Sequence, residues 1–174
     1  MDLSDRPPVP PLPALPTPRA LRDALGRFAT GVTIITCRDA AGAAVGLTAN
    51  SFAALSLEPP LVLWSLRKVS HSLAAFQGCG HFAVNVLAES QQRLAQRFAM
   101  PGVADRFAEG DWSRGLGEAP VLSGCAAVFE CATEARHDAG DHLLFIGRVL
   151  QLAERPLAPL LYHAGQYRSL GARL

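Results

Sequence analysis

Two short segments of this 174-residue chain concentrate small and hydrogen-bonding side chains. The first is Thr48-Ala49-Asn50-Ser51, in which small side chains leave room for a flat polar ligand and Asn50 and Ser51 can each donate and accept hydrogen bonds. The second follows an apolar run and places hydroxyls and two cations just before a helical pattern at Leu73 and Phe76. Such a group is typical of an anion site, most simply one for phosphate. The residues of interest in this second segment are Ser65, Leu66, Arg67, Lys68, Ser70 and Ser72.

Each of these features also has a purely structural interpretation. Arg67 and Lys68 alone would be an ordinary solvated pair, but the neighbouring Ser70 and Ser72 favour an anion site. His142, in Gly140-Asp141-His142, is a candidate for a hydrogen-bond or proton donor, and a structural hydrogen bond at a strand start is the alternative. Tyr167 is a candidate for flanking a ring system, or it packs in the mouth of a β-barrel.

The periodicity of the chain predicts strands in runs, with few helices between them. Thr17 and Pro18 begin a helix that Gly31 is expected to end. A second helix is predicted at residues 72–77, and a third begins at Ser90 with Leu94, Ala95 and Phe98 facing inward. Strands are predicted at residues 32–37, 45–47, 51–57, 61–66, 81–87, 121–133, 142–154 and 160–170.

Two other stretches have features that are associated with ligand binding. Gly78, Gly80 and Ala83 match the glycine pattern of dinucleotide-binding loops, but they follow a helix and precede a strand, which is the reverse of the required order. Residues 101–120 are predicted to form a long irregular loop. Trp112 within it would cover a ligand, sit in a subunit contact or anchor the loop.

Strands in runs with few βαβ repeats favour a closed antiparallel barrel over a doubly wound sheet. Five segments in this order resemble the flavin reductase-like family: FATGVTIIT, TANSFAALSLEPPLVLWSLRKVSHSL, HFAVNVL, GDH and YRSLG, spanning roughly residues 19–171. The resemblance implies a mainly β fold, an FMN-binding split β-barrel of Greek-key antiparallel type over residues 19–174. It also implies a homodimer with the flavin in a groove near the subunit boundary.

The resemblance further implies an NAD(P)H:flavin oxidoreductase that supplies reduced FMN, or FAD, to a separate monooxygenase. FMN is the first expectation, with NADH or NADPH as co-substrate. Carried over from the family, Thr48, Ala49, Asn50 and Ser51 contact the ring and ribityl chain, and the second segment lies towards the phosphate. Val69 and His71 depart from the family pattern. The alternatives are an enzyme that retains its flavin and reduces another substrate, and a non-catalytic flavin-binding module.

The composition of the chain limits its possible partners, the state of its cysteines and its cellular compartment. A formal net charge of +1 does not indicate the basic surface that nucleic-acid-binding proteins present. Because only 18% of the residues are charged, the surface favours self-association. Cys37, Cys79, Cys125 and Cys131 have no metal spacing, and Cys125 and Cys131, about 20 Å apart on one predicted strand, cannot form a disulfide bond. Buried free thiols, no secretion signal and no apolar run of about 18 residues predict a soluble cytoplasmic protein.

Seven of thirteen prolines fall in residues 1–18, which predicts a polyproline-like arm.

Overall fold

The computed structural model describes residues 15–172, and most of the predicted proline-rich arm lies outside this range. Helix α1 spans Pro18–Leu25, and Thr17 caps it by accepting a hydrogen bond from the Ala20 amide at 3.2 Å. The helix ends at Leu25 rather than at Gly31. Gly26 already caps its last turn, and Gly31 is instead paired in a strand.

Twelve strands and two further α-helices follow α1 in the described range. The helices are α2 (Leu73–Gly78) and α3 (Gln92–Ala99). The strands are β1 (Thr30–Gly31), β2 (Thr33–Arg38), β3 (Ala44–Ala49), β4 (Ala53–Leu57), β5 (Pro60–Arg67), β6 (His81–Val86), β7 (Trp112–Arg114), β8 (Pro120–Leu122), β9 (Ala127–Ala139), β10 (His142–Glu154), β11 (Leu161–His163) and β12 (Gln166–Arg168).

Seven of these strands form one antiparallel sheet in the order β3-β2-β6-β9-β10-β5-β4. Smaller sheets are made by β1, β11 and β12 and by β7 and β8. The edge strands β3 and β4 are consecutive in the chain, joined by residues 50–52, and no hydrogen-bonded pairing between them is found within residues 15–172. The prediction of a mainly β, antiparallel fold with few short helices is confirmed, but the predicted closure of the sheet is not observed.

The core consists of two apolar clusters. In β5, Val62, Trp64 and Leu66 alternate with less buried residues, as expected for a strand with one face inward. Trp64 stacks on Phe145 with ring centroids 4.4 Å apart, and Phe76 and Phe82 contact its edges. The second cluster contains Ile34, Leu87, Phe98, Leu122 and Leu160. The amide of buried Asn85 connects its strands, donating to Ile34 O at 3.0 Å and accepting from Leu122 N at 2.8 Å.

Three segment predictions require correction. The predicted strand 121–133 is interrupted between β8 and β9 at Gly124, whose φ of +74° suits glycine, so Cys125 and Cys131 lie in different core clusters. The predicted strand 160–170 is the hairpin of β11 and β12. The loop 101–120 is not irregular throughout, because it contains a 3₁₀ turn at Arg106–Ala108 and strand β7.

Trp112 anchors this loop within the subunit. Its ring packs on Phe98 and Phe107, with centroids 5.4 and 4.9 Å away, and its indole N–H donates to Glu109 O at 2.8 Å. Of the three roles considered for Trp112, the anchoring role is the one that these contacts describe.

All four cysteines are buried and free, as predicted, and Cys79 has the largest exposed fraction of the four, 8%. A hydrogen bond from the Cys37 thiol lowers the pKa of Cys79, with help from Arg136 and Thr133. The same interaction and burial raise the pKa of Cys37, while burial raises the pKa values of Cys125 and Cys131 to about 12. Within residues 15–172, no helix has the length and apolar character needed to cross a bilayer.

Cys79 is therefore expected to be the first thiol that iodoacetamide alkylates in the native protein. Thiolate is the reactive form, so near neutral pH its rate should exceed those of the other three cysteines by about tenfold or more. Peptide mass spectrometry over a labelling time course measures the four rates. Equal rates at Cys79 and Cys125 would contradict this assignment, and Arg136→Gln should slow labelling of Cys79.

Candidate functional site

A cavity of about 760 Å³, called the main cavity here, opens where several chain segments meet. The end of β3 and the β3–β4 linker form one side, and the end of β5 with the turn leading to α2 forms another. The end of α3 and the loop after it complete the walls. Ten predicted site residues line it: Thr48, Ala49, Asn50, Ser51, Ser65, Leu66, Arg67, Ser70, Ser72 and His142. Lys68 and Tyr167 do not.

Two of the three polar side chains in the Thr48–Ser51 segment, those of Thr48 and Ser51, are hydrogen-bonded within the fold. Thr48 Oγ1 donates to Ala95 O at 2.6 Å, which ties β3 to α3, and Ala49 O accepts from Thr33 Oγ1 at 2.8 Å. Ser51 Oγ accepts from the Ser65 amide and donates to Ser65 O, both at 3.1 Å. These two hydrogen bonds connect the two predicted ligand-binding segments. The side chain of Asn50 is exposed and bonds to no residue in the described part of the chain, so its amide is available to a ligand.

The turn after β5 carries the predicted anion-binding residues. Ser70 Oγ accepts from the Ser72 amide at 3.2 Å, which shapes the turn, and the Ser72 hydroxyl makes no capping bond to α2. Arg67 lines the main cavity with its side chain exposed. Lys68 turns away, because its ammonium pairs with Asp138 at 2.7 Å and its amide donates to Asp141 O at 2.9 Å. Of the residues predicted to lie towards the phosphate, Arg67, Ser70 and Ser72 line the cavity from the end of β5 and the turn after it, and Ser65 lines it from within β5.

His142 enters the main cavity from the first residue of β10, opposite Arg67 of β5 in the strand register. Its Nδ1 lies 2.7 Å from Asp141 Oδ1, and this hydrogen bond lowers the pKa of the Asp141 carboxyl group. A histidine whose Nδ1–H is held by a carboxylate leaves Nε2 for a ligand. Asp141 therefore orients the His142 ring.

Tyr167 lies elsewhere in the subunit. Its ring packs on Tyr162 with centroids 5.3 Å apart, against the second core cluster, and burial, followed by the proximity of Tyr162, raises the pKa of its hydroxyl. Tyr167 does not line the main cavity of its own subunit, so the predicted contact with a flavin ring is not made there. Its alternative role, packing, matches its position here.

The wall formed by α3 and the loop after it contains no residue that was predicted from the sequence to contact a ligand. Phe98, Pro101 and Val103 add apolar surface, and Arg106 adds a cation. Arg106 Nη2 donates to Met100 O at 2.9 Å, whereas its Nε is buried and has no partner in the described structure. The only sequence signal for this wall was the length of the loop, which is typical of functional covers.

These residues fit a flat, phosphate-bearing ligand such as a flavin nucleotide. The buried, unpartnered Arg106 Nε and the cavity-lining Arg67, Ser70 and Ser72 provide cationic and hydroxyl donors for phosphate oxygens, and Asn50 provides an amide for a polar ring edge. Within residues 15–172, no group of three or more His, Cys, Asp or Glu side chains is placed to hold a metal ion. The arrangement can bind and orient two planar rings without requiring a nucleophile of its own.

Comparison with known proteins agrees with this chemistry. A family model described as "Flavin reductase like domain" matches residues 25–171. Over 154 residues the chain is 49% identical to the reductase subunit HsaB of a flavin-dependent monooxygenase from Rhodococcus jostii, covering 88% of this chain and 78% of HsaB. A protein named "Probable flavin reductase" from Rhizobium meliloti is 49% identical over 150 residues, which cover 86% of this chain and 48% of that protein. The chain thus spans about half the length of this relative.

A solved structure shows the same architecture. The NADH:FAD oxidoreductase SgcE6 of Streptomyces globisporus, in complex with NAD and FAD fragments, superimposes with a TM-score of 0.84 at 34% identity. The match covers 89% of this chain and 93% of that one.

Proposed function

We propose, because the chain belongs to the flavin reductase-like family, that it catalyses reduction of a flavin by a nicotinamide nucleotide. The observation that carries the proposal is the main cavity, where the two flavin-binding segments predicted from the sequence meet beside His142. The named activities of SgcE6 and HsaB support NADH as the hydride donor and a separate monooxygenase as the recipient of reduced flavin.

The chemistry requires little from the side chains. When bound, the flavin accepts at N5 a hydride from the nicotinamide C4, and this redox chemistry belongs to the two nucleotides. The chain's task is to hold the rings in contact and to exclude water. Small residues at Ala49 and Ser51 leave space on the ring face, and Leu66, only 6% exposed, adds an apolar wall.

The phosphate end is assigned to Ser70, Ser72 and Arg67. Their hydroxyl and guanidinium groups line the same side of the main cavity, whereas the ammonium of Lys68 lies outside it and is paired with Asp138. Charge-assisted hydrogen bonds to phosphate are each worth about 1.5–3 kcal/mol. This end therefore provides much of the affinity for a phosphorylated flavin.

The proposal includes a split β-barrel of Greek-key type. A flat seven-stranded sheet would put its edge strands about 29 Å apart. Ala49 at the end of β3 and Ala53 at the start of β4 lie on opposite edges, yet the three residues between them limit their separation to about 14 Å. This limit supports a strongly curved sheet whose edges meet near Asn50.

A homodimer in the cytoplasm completes the proposal. Leu21, Leu25 and Phe28 of α1 and the turn after it are 48–77% exposed, and Leu57 on the edge strand β4 is 94% exposed. Apolar side chains exposed in this number support a subunit contact. In such a dimer, Tyr167 would contact the flavin only from the partner subunit. Sedimentation equilibrium tests the dimer.

The four free cysteines support a reducing compartment, as the cytoplasm is.

Purification and a turnover assay test the function. A protein that is colourless, and that oxidises NADH only when free FMN or FAD is added, has the proposed activity. A yellow protein that reduces another acceptor faster than free flavin would be the retained-flavin enzyme. A yellow protein that oxidises neither NADH nor NADPH would be a non-catalytic flavin-binding module.

His142→Gln is expected to lower kcat of flavin reduction about fivefold, the value of one ordinary hydrogen bond, while changing the Kd of the flavin less than about twofold. The reason is that His142 Nε2 is proposed to contact the ring where charge changes during reduction, and not the phosphate. Stopped-flow measurement of NADH oxidation provides kcat. His137→Gln, at an exposed position of β9, is the matched control. If kcat is unchanged in His142→Gln, His142 has no role in the reaction, and its role is limited to the structural hydrogen bond with Asp141.

A further inference from the structure

Arg106 is the cation that the loop after α3 brings into the main cavity. It takes part in no salt bridge with a residue in the described range 15–172, and its buried Nε–H has no acceptor there. Its Nη2 donates to Met100 O at 2.9 Å, which holds the guanidinium against its own loop. A guanidinium that is held in this way can bind an anion without first leaving a carboxylate partner.

Two arginines of helix α3 connect the helix to this loop. Arg93 and Arg97 are one helical turn apart, and both contact the carboxylate of Glu109. Arg93 contacts both carboxylate oxygens, with Nε 3.1 Å from Oε2 and Nη2 3.2 Å from Oε1, and its side chain is 83% exposed. Arg97 contacts only Oε1, at 3.1 Å from Nη1, and its side chain is 24% exposed. The two arginines therefore share one acidic partner but differ in their other contacts.

The remaining donors of Arg97 bond to the backbone of the loop. Its Nε donates to Arg106 O at 3.1 Å, and its Nη2 donates to Asp105 O. These two carbonyls belong to the peptide groups on either side of the Arg106 Cα. Because each peptide group is planar, holding two successive ones also fixes the direction of the Cα–Cβ bond between them. Arg97 thus sets the direction in which the Arg106 side chain leaves the backbone.

The part of the loop beyond Arg106 is anchored without Arg97. The rings of Phe107 and Trp112 pack together with centroids 4.9 Å apart, and the Trp112 indole N–H donates to Glu109 O at 2.8 Å. These contacts do not involve Arg97. Its substitution should therefore release the two peptide groups around Arg106 without unfolding the loop.

We propose that Arg97 is a positioning residue for flavin binding, which holds Arg106 in the orientation in which its guanidinium binds the flavin phosphate. The inference rests on the proposed function, because it requires a phosphorylated flavin in the main cavity. Arg97 itself does not line that cavity, so it acts through the loop. Arg93 contacts the same Glu109 but bonds to no loop carbonyl among residues 15–172, and it has no such role.

Titrations of flavin-free protein with FMN and riboflavin test the proposal, because riboflavin has the ring system but no phosphate. Arg97→Met should raise the Kd of FMN about tenfold, as Arg106→Gln should, and change the Kd of riboflavin less than about twofold. Arg93→Met removes the other arginine that contacts Glu109, and as the matched control it should change neither Kd. Arg97→Lys keeps the positive charge beside Glu109 but cannot bond to both carbonyls, so it should bind FMN nearly as weakly as Arg97→Met.

A double-mutant cycle tests whether Arg97 acts through Arg106. In the Arg106→Gln background, Arg97→Met should change the Kd of FMN less than about twofold, because the group that Arg97 positions is already absent. In steady-state turnover, Arg97→Met should raise the KM for FMN and leave kcat unchanged at saturating FMN, because the contacts to the ring are not altered.

An unchanged Kd of FMN in Arg97→Met would overturn the proposal, as would additive effects of the Arg97 and Arg106 substitutions. Full recovery of FMN affinity in Arg97→Lys would show that charge alone matters, and the positioning role would be wrong. Equal losses of FMN and riboflavin binding in Arg97→Met would show that Arg97 supports the whole cavity wall and not the phosphate contact, which also contradicts the proposal. An unmodified protein that binds neither FMN nor riboflavin would instead refute the proposed function itself.

Discussion

The double variant Ser70→Ala, Ser72→Ala is expected to bind FMN about tenfold or more weakly than the unmodified protein, because charge-assisted hydrogen bonds to phosphate are each worth about 1.5–3 kcal/mol. Both hydroxyls line the phosphate end of the main cavity. The Ser72 hydroxyl makes no capping bond to α2, and the Ser70 hydroxyl accepts only from the Ser72 amide among its described contacts. Fluorescence titration of the flavin-free protein measures the change.

Riboflavin provides the decisive control, because it has the same ring system without the phosphate. Its Kd should be the same in the double variant and in the unmodified protein. If riboflavin binding weakens equally, the substitutions have disturbed the turn rather than removed phosphate contacts. Ser113→Ala, at an exposed position of β7 outside the main cavity, is the matched variant and should bind FMN normally. An unchanged FMN affinity in the double variant would remove the phosphate assignment.

Gly147→Ala is expected to destabilise the protein by about 3 kcal/mol, at the upper end of the usual cost of overpacking a core. A Cβ at position 147 would lie 2.4 Å from Cζ of Phe82 and 3.0 Å from Cβ of Cys131. Phe82 is 1% exposed and packs against Trp64, so its ring cannot move aside without disturbing the first core cluster. Thermal unfolding should show a midpoint lower by roughly 6 to 12 °C.

Two further variants test this explanation. Gly31→Ala, in strand β1, adds the same methyl group where no atom lies within 4 Å, and its stability should remain close to that of the unmodified protein. Adding Phe82→Leu to Gly147→Ala should recover part of the lost stability, because it removes the atoms that clash. Unfolding midpoints that are identical for Gly147→Ala and Gly31→Ala would show that the core around Phe82 adapts at no cost.

Local patterns predicted most of the elements correctly. The β-branched run at Thr33–Cys37, the apolar run that begins at Leu61 and the Thr17 cap each depend on neighbours in the chain. Both strands, and the start of α1, lie where expected. Errors arose where a tertiary contact or a glycine conformation decides the outcome. Gly124 interrupts the strand predicted at 121–133, and Gly26 ends α1 earlier than Gly31 would.

By itself, the sequence determined the family, which the comparisons confirm, and the two segments that meet at the main cavity. Only the tertiary structure decided which of their polar groups are free for a ligand. Thr48 bonds to α3 and Lys68 to Asp138, Tyr167 packs on Tyr162, and Arg106 joins the site from a distant loop. The physical reason is that a side chain's partners are set by long-range strand order and loop placement, which residue type and local spacing do not encode.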